Sequence, residues 1–194
     1  MDEQTYQQEL IQLIRSTPWF MPILQAVRAC DPPDWLVGAG VIRNLVWDHL
    51  HQYQTPTPLA DVDVIFFDAQ DTRPERDYLI QQELLQKLQD IAWEATNQAA
   101  VHLWYEDAFG FAVPALQSSE EAVGTWPETA TSVAVRLLAT DEIHIVAPCG
   151  LSDLFNMILR RNPRRVTREI FAQRVHAKQI VRKWPCVRVI SDES

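Results

Sequence analysis

No stretch of this chain stays apolar for the roughly 20 residues that a membrane-crossing helix needs, so a helical membrane protein is excluded. The first residues, MDEQTYQQEL, are polar and acidic. They lack the basic and apolar regions of a secretory signal and the arginines of a transit peptide. Cysteine is scarce: Cys30, Cys149 and Cys186 are odd in number and share no paired spacing. That excludes a disulfide frame and a structural zinc site, and points to reduced thiols in the cytoplasm. There is no internal repeat and no low-complexity segment. No Ser/His/Asp or Cys/His set can be assembled, and His49, His51, His144 and His176 show no metal-ligand spacing.

What is present is ordinary for a globular protein: 47% hydrophobic, 9% aromatic and 22% charged residues in a chain of 194. Its expected organisation is one domain over 1–194. A core spans about 32–150, with N-terminal helices at 4–30 and a basic helical part at 150–186 packed on it. The net charge of −9 is unevenly spread. Between Phe155 and Ile190 stand ten of the 17 Lys and Arg residues and one acid, Glu169; the other seven share the rest of the chain with 25 acids. Such asymmetry marks either an anion-binding surface or a basic tail packed on an acidic body. A long nucleic-acid track is not expected on so acidic a body, although the arginine-rich tail keeps a short RNA in view.

Periodicity gives the elements. QTYQQELIQLIR puts Tyr6, Leu10, Leu13 and Ile14 on one helical face, and a second helix is predicted from an N-cap at Thr17 to about Cys30. WLVGAG reads as a short buried strand, VIRNLVWDHLHQY as a helix and DVDVIFFD as a strand. PERDYLIQQELLQKLQDI is a helix with Tyr78, Leu79, Leu84, Leu85 and Leu88 on its apolar side. WEATNQAAVHLWY reads as one strand, and ETATSVAVRLL fits a helix or a strand. EIHIVAP follows as a strand, GLSDLFNMILRR as a helix and PRRVTREIFAQRVHAKQIVRKWP as one long basic helix. The class is α+β: a mixed sheet with flanking helices and a helical C-terminal part.

Asp61 and Asp63 sit one residue apart at the head of an apolar strand. Residues i and i+2 share a strand face, so unpartnered carboxylates there repel and raise each other's pKa. A divalent cation removes that cost, since Mg²⁺ takes one or two carboxylates together with substrate phosphate oxygens; an exposed edge or a turn is the plain alternative. Upstream, WLVGAGVIRN supplies strand, glycine turn and helix N-terminus, a place where backbone N–H groups meet a phosphate. It is neither a Walker loop nor the dinucleotide fingerprint, because no Gly-Lys-Ser/Thr and no third glycine follow.

Together these motifs resemble the core of the polymerase-β-like nucleotidyltransferase superfamily. AGVIRNLVWD, DVDVIFFD, WEATNQAAVHLW, WPETATSVAVRL, APCGLSDLF and the closing KWP are more narrowly similar to a bacterial nucleotidyltransferase-like family, over most of 35–185. The resemblance implies a phosphate turn at Gly38, Ala39 and Gly40, with Ala39 interrupting the usual glycine pair. It implies Mg²⁺ (or Mn²⁺) on Asp61 and Asp63, and a third acid from a later strand, for which Glu94 is the candidate. Arg43 is placed to reach phosphate or to pair with an acid such as Asp48. Asn97 and His102 are further candidate substrate contacts; Glu94, Gln98 and His102 share one parity on the predicted strand. Trp126 is a core residue or a pocket wall. The expected activity is transfer of a nucleoside monophosphate, as from ATP, to a small molecule, a protein side chain or an RNA end, with release of pyrophosphate. The alternatives are a nucleotide-binding module without turnover and a toxin- or antitoxin-like partner acting through the basic tail.

Overall fold

The computed structural model describes residues 2–190. Five short strands form one mixed sheet in the order β3-β2-β1-β4-β5: β1 (Leu36–Gly38), β2 (Val62–Phe66), β3 (Trp93–Asn97), β4 (Ala134–Leu137) and β5 (Ile143–Val146). β1 runs antiparallel to β2 and β4, β4 antiparallel to β5, and β2 parallel to β3. The parallel pair needs a crossover, which α4 (Pro74–Lys87) supplies. Around the sheet lie α1 (Glu3–Ser16), α2 (Phe20–Cys30), α3 (Gly40–Leu50), α5 (Val101–Phe109) and α6 (Ser119–Val123). The last part holds α7 (Ser152–Phe155), α8 (Arg168–Ala177) and α9 (Ile180–Lys183), with a parallel ribbon of β6 (Ile158–Arg160) and β7 (Arg188–Ile190).

Strand alternation divides the sheet into two unlike faces. Val37, Val62, Val64, Phe66, Trp93, Ala95 and Val135 point into the main core, which also takes Leu10 and Ile14 of α1, Leu24 and Val27 of α2, and Trp184 and Val187 near the end of the chain. Leu36, Ile65, Ala134 and Val146 point the other way, into a smaller cluster closed by Ala122 and Val123 of α6. Trp47 of α3 and Trp184 are fully buried and meet edge to face at 5.3 Å. That geometry adds roughly 0.5–1.5 kcal/mol to their burial and ties the C-terminal part to α3.

Several predicted elements differ. Thr17 does not start α2; its hydroxyl donates to Leu13 O at 2.8 Å and closes α1, so α2 begins at Phe20. The strand predicted over 93–105 stops at Asn97, level with the end of β2, and the chain turns into α5. ETATSVAVRLL divides into a 3-10 turn at Thr129–Thr131 and β4. GLSDLFNMILRR is helical only over Ser152–Phe155, and Met157 (φ 53°) turns the chain into β6. The long basic helix starts only at Arg168, where the Thr167 side chain accepts from Ile170 N, and breaks at Gln179 (φ 54°). On α4 the inward stripe is Ile80 and Leu84, whereas Tyr78 and Leu79 are 62% and 56% exposed.

Candidate active site

The sheet register builds the acidic centre. Asp63 lies opposite Gly38 on β1 and opposite Glu94 on β3, so both acids stand on the face away from the main core. Asp61, two residues before Asp63, joins them just ahead of β2. Each of Asp61, Asp63 and Glu94 offers a carboxylate oxygen within 4.8 Å of the others. Burial pushes the Asp63 carboxyl up to about 6, and the charges of Asp61 and Glu94 push the same way. Clustered hard oxygen donors, one of them raised by burial and by the charge of its neighbours, are the donor set that a Mg²⁺-like cation relieves.

The acids form part of the floor of a cavity of about 500 Å³, within the usual range for small-molecule sites. Ala39, Gly40, Arg43 and Asn44 at the start of α3 line one side. Arg174 and Lys178 from α8 and its cap line another, together with Glu128. Glu128 is buried, and Arg174 Nε donates to it at 2.8 Å. Burial alone would raise the Glu128 carboxyl, but Arg174, Lys178 and Thr131 outweigh it and hold the group below the ordinary carboxylate range. Lys178 is pushed below the ordinary lysine range, first by desolvation and then by Arg174 and Arg43, against the pull of Glu128 and Asp63. Trp104, Tyr105 and Phe109 of α5 form a third, aromatic side, joined there by Arg165.

Not every predicted site residue reaches the cavity. Asp61, Asp63, Glu94, Ala39, Gly40 and Arg43 line it; Gly38, Asn97 and His102 do not. A Cβ on Gly38 would lie 2.6 Å from Val133 O and 2.7 Å from both Ala134 Cβ and a ring carbon of Trp126, so this glycine lets β4 and Trp126 close on β1. The Ala39 N–H donates to Val133 O at 3.0 Å and is spent there; Ala39 itself carries φ 57°. Arg43 is buried, donates to Asn44 Oδ1 at 2.7 Å and lies 5.1 Å over the Trp184 ring. Asp48 is not its partner, for it accepts from Trp184 Nε1 at 2.7 Å and from Thr57. Asn97 is buried and clamps the loop after β2: its Nδ2 donates to Asp68 O and Asp71 O, and its Oδ1 accepts from Asp68 N, all at 2.9 Å. His102 rides on α5, where its Nδ1 is buried without a partner among the described residues. Trp126 does line the cavity, and so do Glu128 and the α5 aromatics, which no motif in the sequence marks. The tail's surplus of arginine and lysine was the signal for α8, though not for which of its residues turn inward.

Paired strand acids, a third acid on the adjoining parallel strand and a helix starting beside them on a mixed sheet define a polymerase-β-like nucleotidyltransferase fold. The family comparison agrees: the chain belongs to a nucleotidyltransferase family, whose model matches residues 25–189. It is similar to an NMR structure reported to reveal a CCA-adding enzyme head domain, with 26% identity, a TM-score of 0.77 and 95% of each chain covered. By fold it is also similar to a CCA-adding enzyme in complex with CTP, at 11% identity and a TM-score of 0.54; the match covers 98% of this chain and 44% of that one. No curated protein matches.

Proposed function

We propose that the protein moves a nucleoside monophosphate from a nucleoside triphosphate to a hydroxyl acceptor at the Asp61–Asp63–Glu94 centre. The observation that carries this is the register that sets Glu94 beside Asp63, completing three carboxylates on the floor of a nucleotide-sized cavity. Mg²⁺ or Mn²⁺ held there would neutralise triphosphate charge and lower the pKa of the attacking hydroxyl. The chain's own residues bind and orient. Asp61, Asp63 and Glu94 supply the oxygen ligands, and the first helical amides of α3, beyond the spent Ala39 N–H, face the phosphates. Lys178 and Arg174 add positive charge from α8, while Glu128 fixes the Arg174 fork by a 2.8 Å bond. The acceptor hydroxyl gives its proton to solvent, its oxygen bonds to the α-phosphorus as the bond to the bridging oxygen breaks, and pyrophosphate leaves with that electron pair. A likeness to an enzyme solved with CTP supports a nucleoside triphosphate as donor. The acceptor is a small molecule, a protein side chain or an RNA end, and the setting is the cytoplasm.

The test is calorimetry of the four nucleoside triphosphates with Mn²⁺, beside a pyrophosphate-release assay. Asp61→Asn and Asp63→Asn are each expected to weaken Mn²⁺-dependent binding by more than about 100-fold, since even outer ligand-supporting residues account for roughly 10–100-fold. Unchanged binding in both variants sinks the proposal. Binding without pyrophosphate release, across a panel of acceptors, would leave a nucleotide-binding module without turnover.

A further inference from the structure

The cavity has two chemically different ends. At one, Arg43 and Lys178 feel the charge of Asp63. At the other stands Arg165, whose electrostatic neighbours are Tyr105 and Glu121 and not the acidic centre. Its guanidinium lies 5.3 Å over the Tyr105 ring, and its Nη2 is buried with no hydrogen-bond partner among the described residues. A buried N–H without an acceptor is costly, so such a group signals a missing partner. The rings beside it form one connected patch, with Tyr105 4.5 Å from Phe109 and Trp104 6.5 Å from Phe109. Trp104 and Phe109 nevertheless remain 41% and 55% exposed, and both line the cavity that Asp61, Asp63, Glu94 and Glu128 also line.

We infer that α5 and Arg165 form a nucleobase subsite: a planar base stacks on the Trp104–Tyr105–Phe109 wall while Arg165 donates to an acceptor atom on its edge. A phosphate would satisfy the guanidinium but gain nothing from the rings, and the phosphate-facing cations already stand at the other end. A guanidinium only donates, so the recognised edge must present a carbonyl oxygen or a ring nitrogen. This inference deepens the proposed transferase reading and rests on it for the position of the phosphates. The base belongs either to the donor nucleotide or to the terminal nucleotide of an acceptor.

The experiment measures full-length protein against three probes with Mn²⁺: inorganic tripolyphosphate, a nucleoside triphosphate and an RNA trinucleotide. The variants are Trp104→Ala, Phe109→Ala and Arg165→Gln; the first two change exposed side chains, so the fold is retained even if Arg165→Gln unfolds. Base stacking lost by alanine substitution weakens binding by at least about fivefold. Weaker nucleoside triphosphate binding with unchanged tripolyphosphate binding places the donor base on α5. Weaker trinucleotide binding alone places the acceptor base there. Equal weakening of nucleoside triphosphate and tripolyphosphate makes this a phosphate contact and overturns the inference, as does no weakening of either nucleotide probe. Should wild type ignore tripolyphosphate while its trinucleotide binding still depends on Trp104, the acidic-centre reading fails and the base subsite stands.

Discussion

Ala39 holds φ 57° and ψ −117°, a region that costs a non-glycine residue about 1–3 kcal/mol. It does so where β1 hands over to α3, beside the acids. Ala39→Gly should therefore raise the melting temperature, read by calorimetry, by the equivalent of about 1 kcal/mol or more. Asp63 carries a second local cost. Its folded pKa of about 6 lies above the ordinary value of about 4, so the native state binds the proton more tightly. Stability of the metal-free protein therefore falls as pH rises between those two values. Asp63→Asn should abolish that slope and stabilise the metal-free protein at neutral pH by on the order of 1–2 kcal/mol. Mn²⁺ should accordingly raise the melting temperature of wild type less below pH 6 than above it. Asn97 tests the opposite case, a polar residue whose bonds all go to the protein. Asn97→Ala should cost roughly 3 kcal/mol in urea unfolding and leave triphosphate affinity in the folded protein unchanged.

At the scale of elements, the close approach at Gly38 is the point of least tolerance. Gly38→Ala places a methyl against the Val133 carbonyl, which cannot swing away as a side-chain end would. A loss of about 1–3 kcal/mol in urea unfolding is expected, with a change in Trp126 fluorescence as that ring is displaced. How legible the elements were depended on whether one residue or many decided them. The α1 stripe was readable because Tyr6, Leu10, Leu13 and Ile14 all obey one period. The Asp-x-Asp strand was readable because alternation and a glycine turn agreed. The end of β3 was not, because a tertiary event stops it, the end of its partner β2 at Phe66. Nor were the breaks at Met157 and Gln179, where single left-handed residues interrupt sequences that remain good helix formers. The same limit applies to the site. Asp61, Asp63 and Glu94 come together through strand register, whereas the α5 wall exists only because a segment that looked like strand is helix.

Across the whole molecule, the uneven charge is resolved by α8. Part of the basic tail packs on the acidic body, as Arg174 does on Glu128, and Arg174 lines the cavity together with Arg165, Lys178 and Lys183. Glu128 titrates in the sense opposite to Asp63: its contribution is present at neutral pH and is lost on acidification through its lowered value. Glu128→Ala should thus destabilise the protein by about 1–3 kcal/mol, a pair with one partly exposed member being worth less than a fully buried one. It should also weaken triphosphate binding, because Arg174 loses its orientation; thermal unfolding and calorimetry read the two effects separately.

The parallel pairing of β2 with β3 carries a consequence for how such a chain can evolve. The register that sets Glu94 beside Asp63 also sets Trp93 beside Val62 and Ala95 beside Val64. A slip of one residue would turn Glu94 into the main core and Trp93 out of it, so chemistry and packing fail together. The connection from α4 to β3, by contrast, can gain or lose residues while the register holds. Changes of length are therefore expected at the exposed residues 89–90, because the Leu88 carbonyl accepts from the Trp93 indole and the Ala92 carbonyl from Val62 N, while one alignment holds over 92–97.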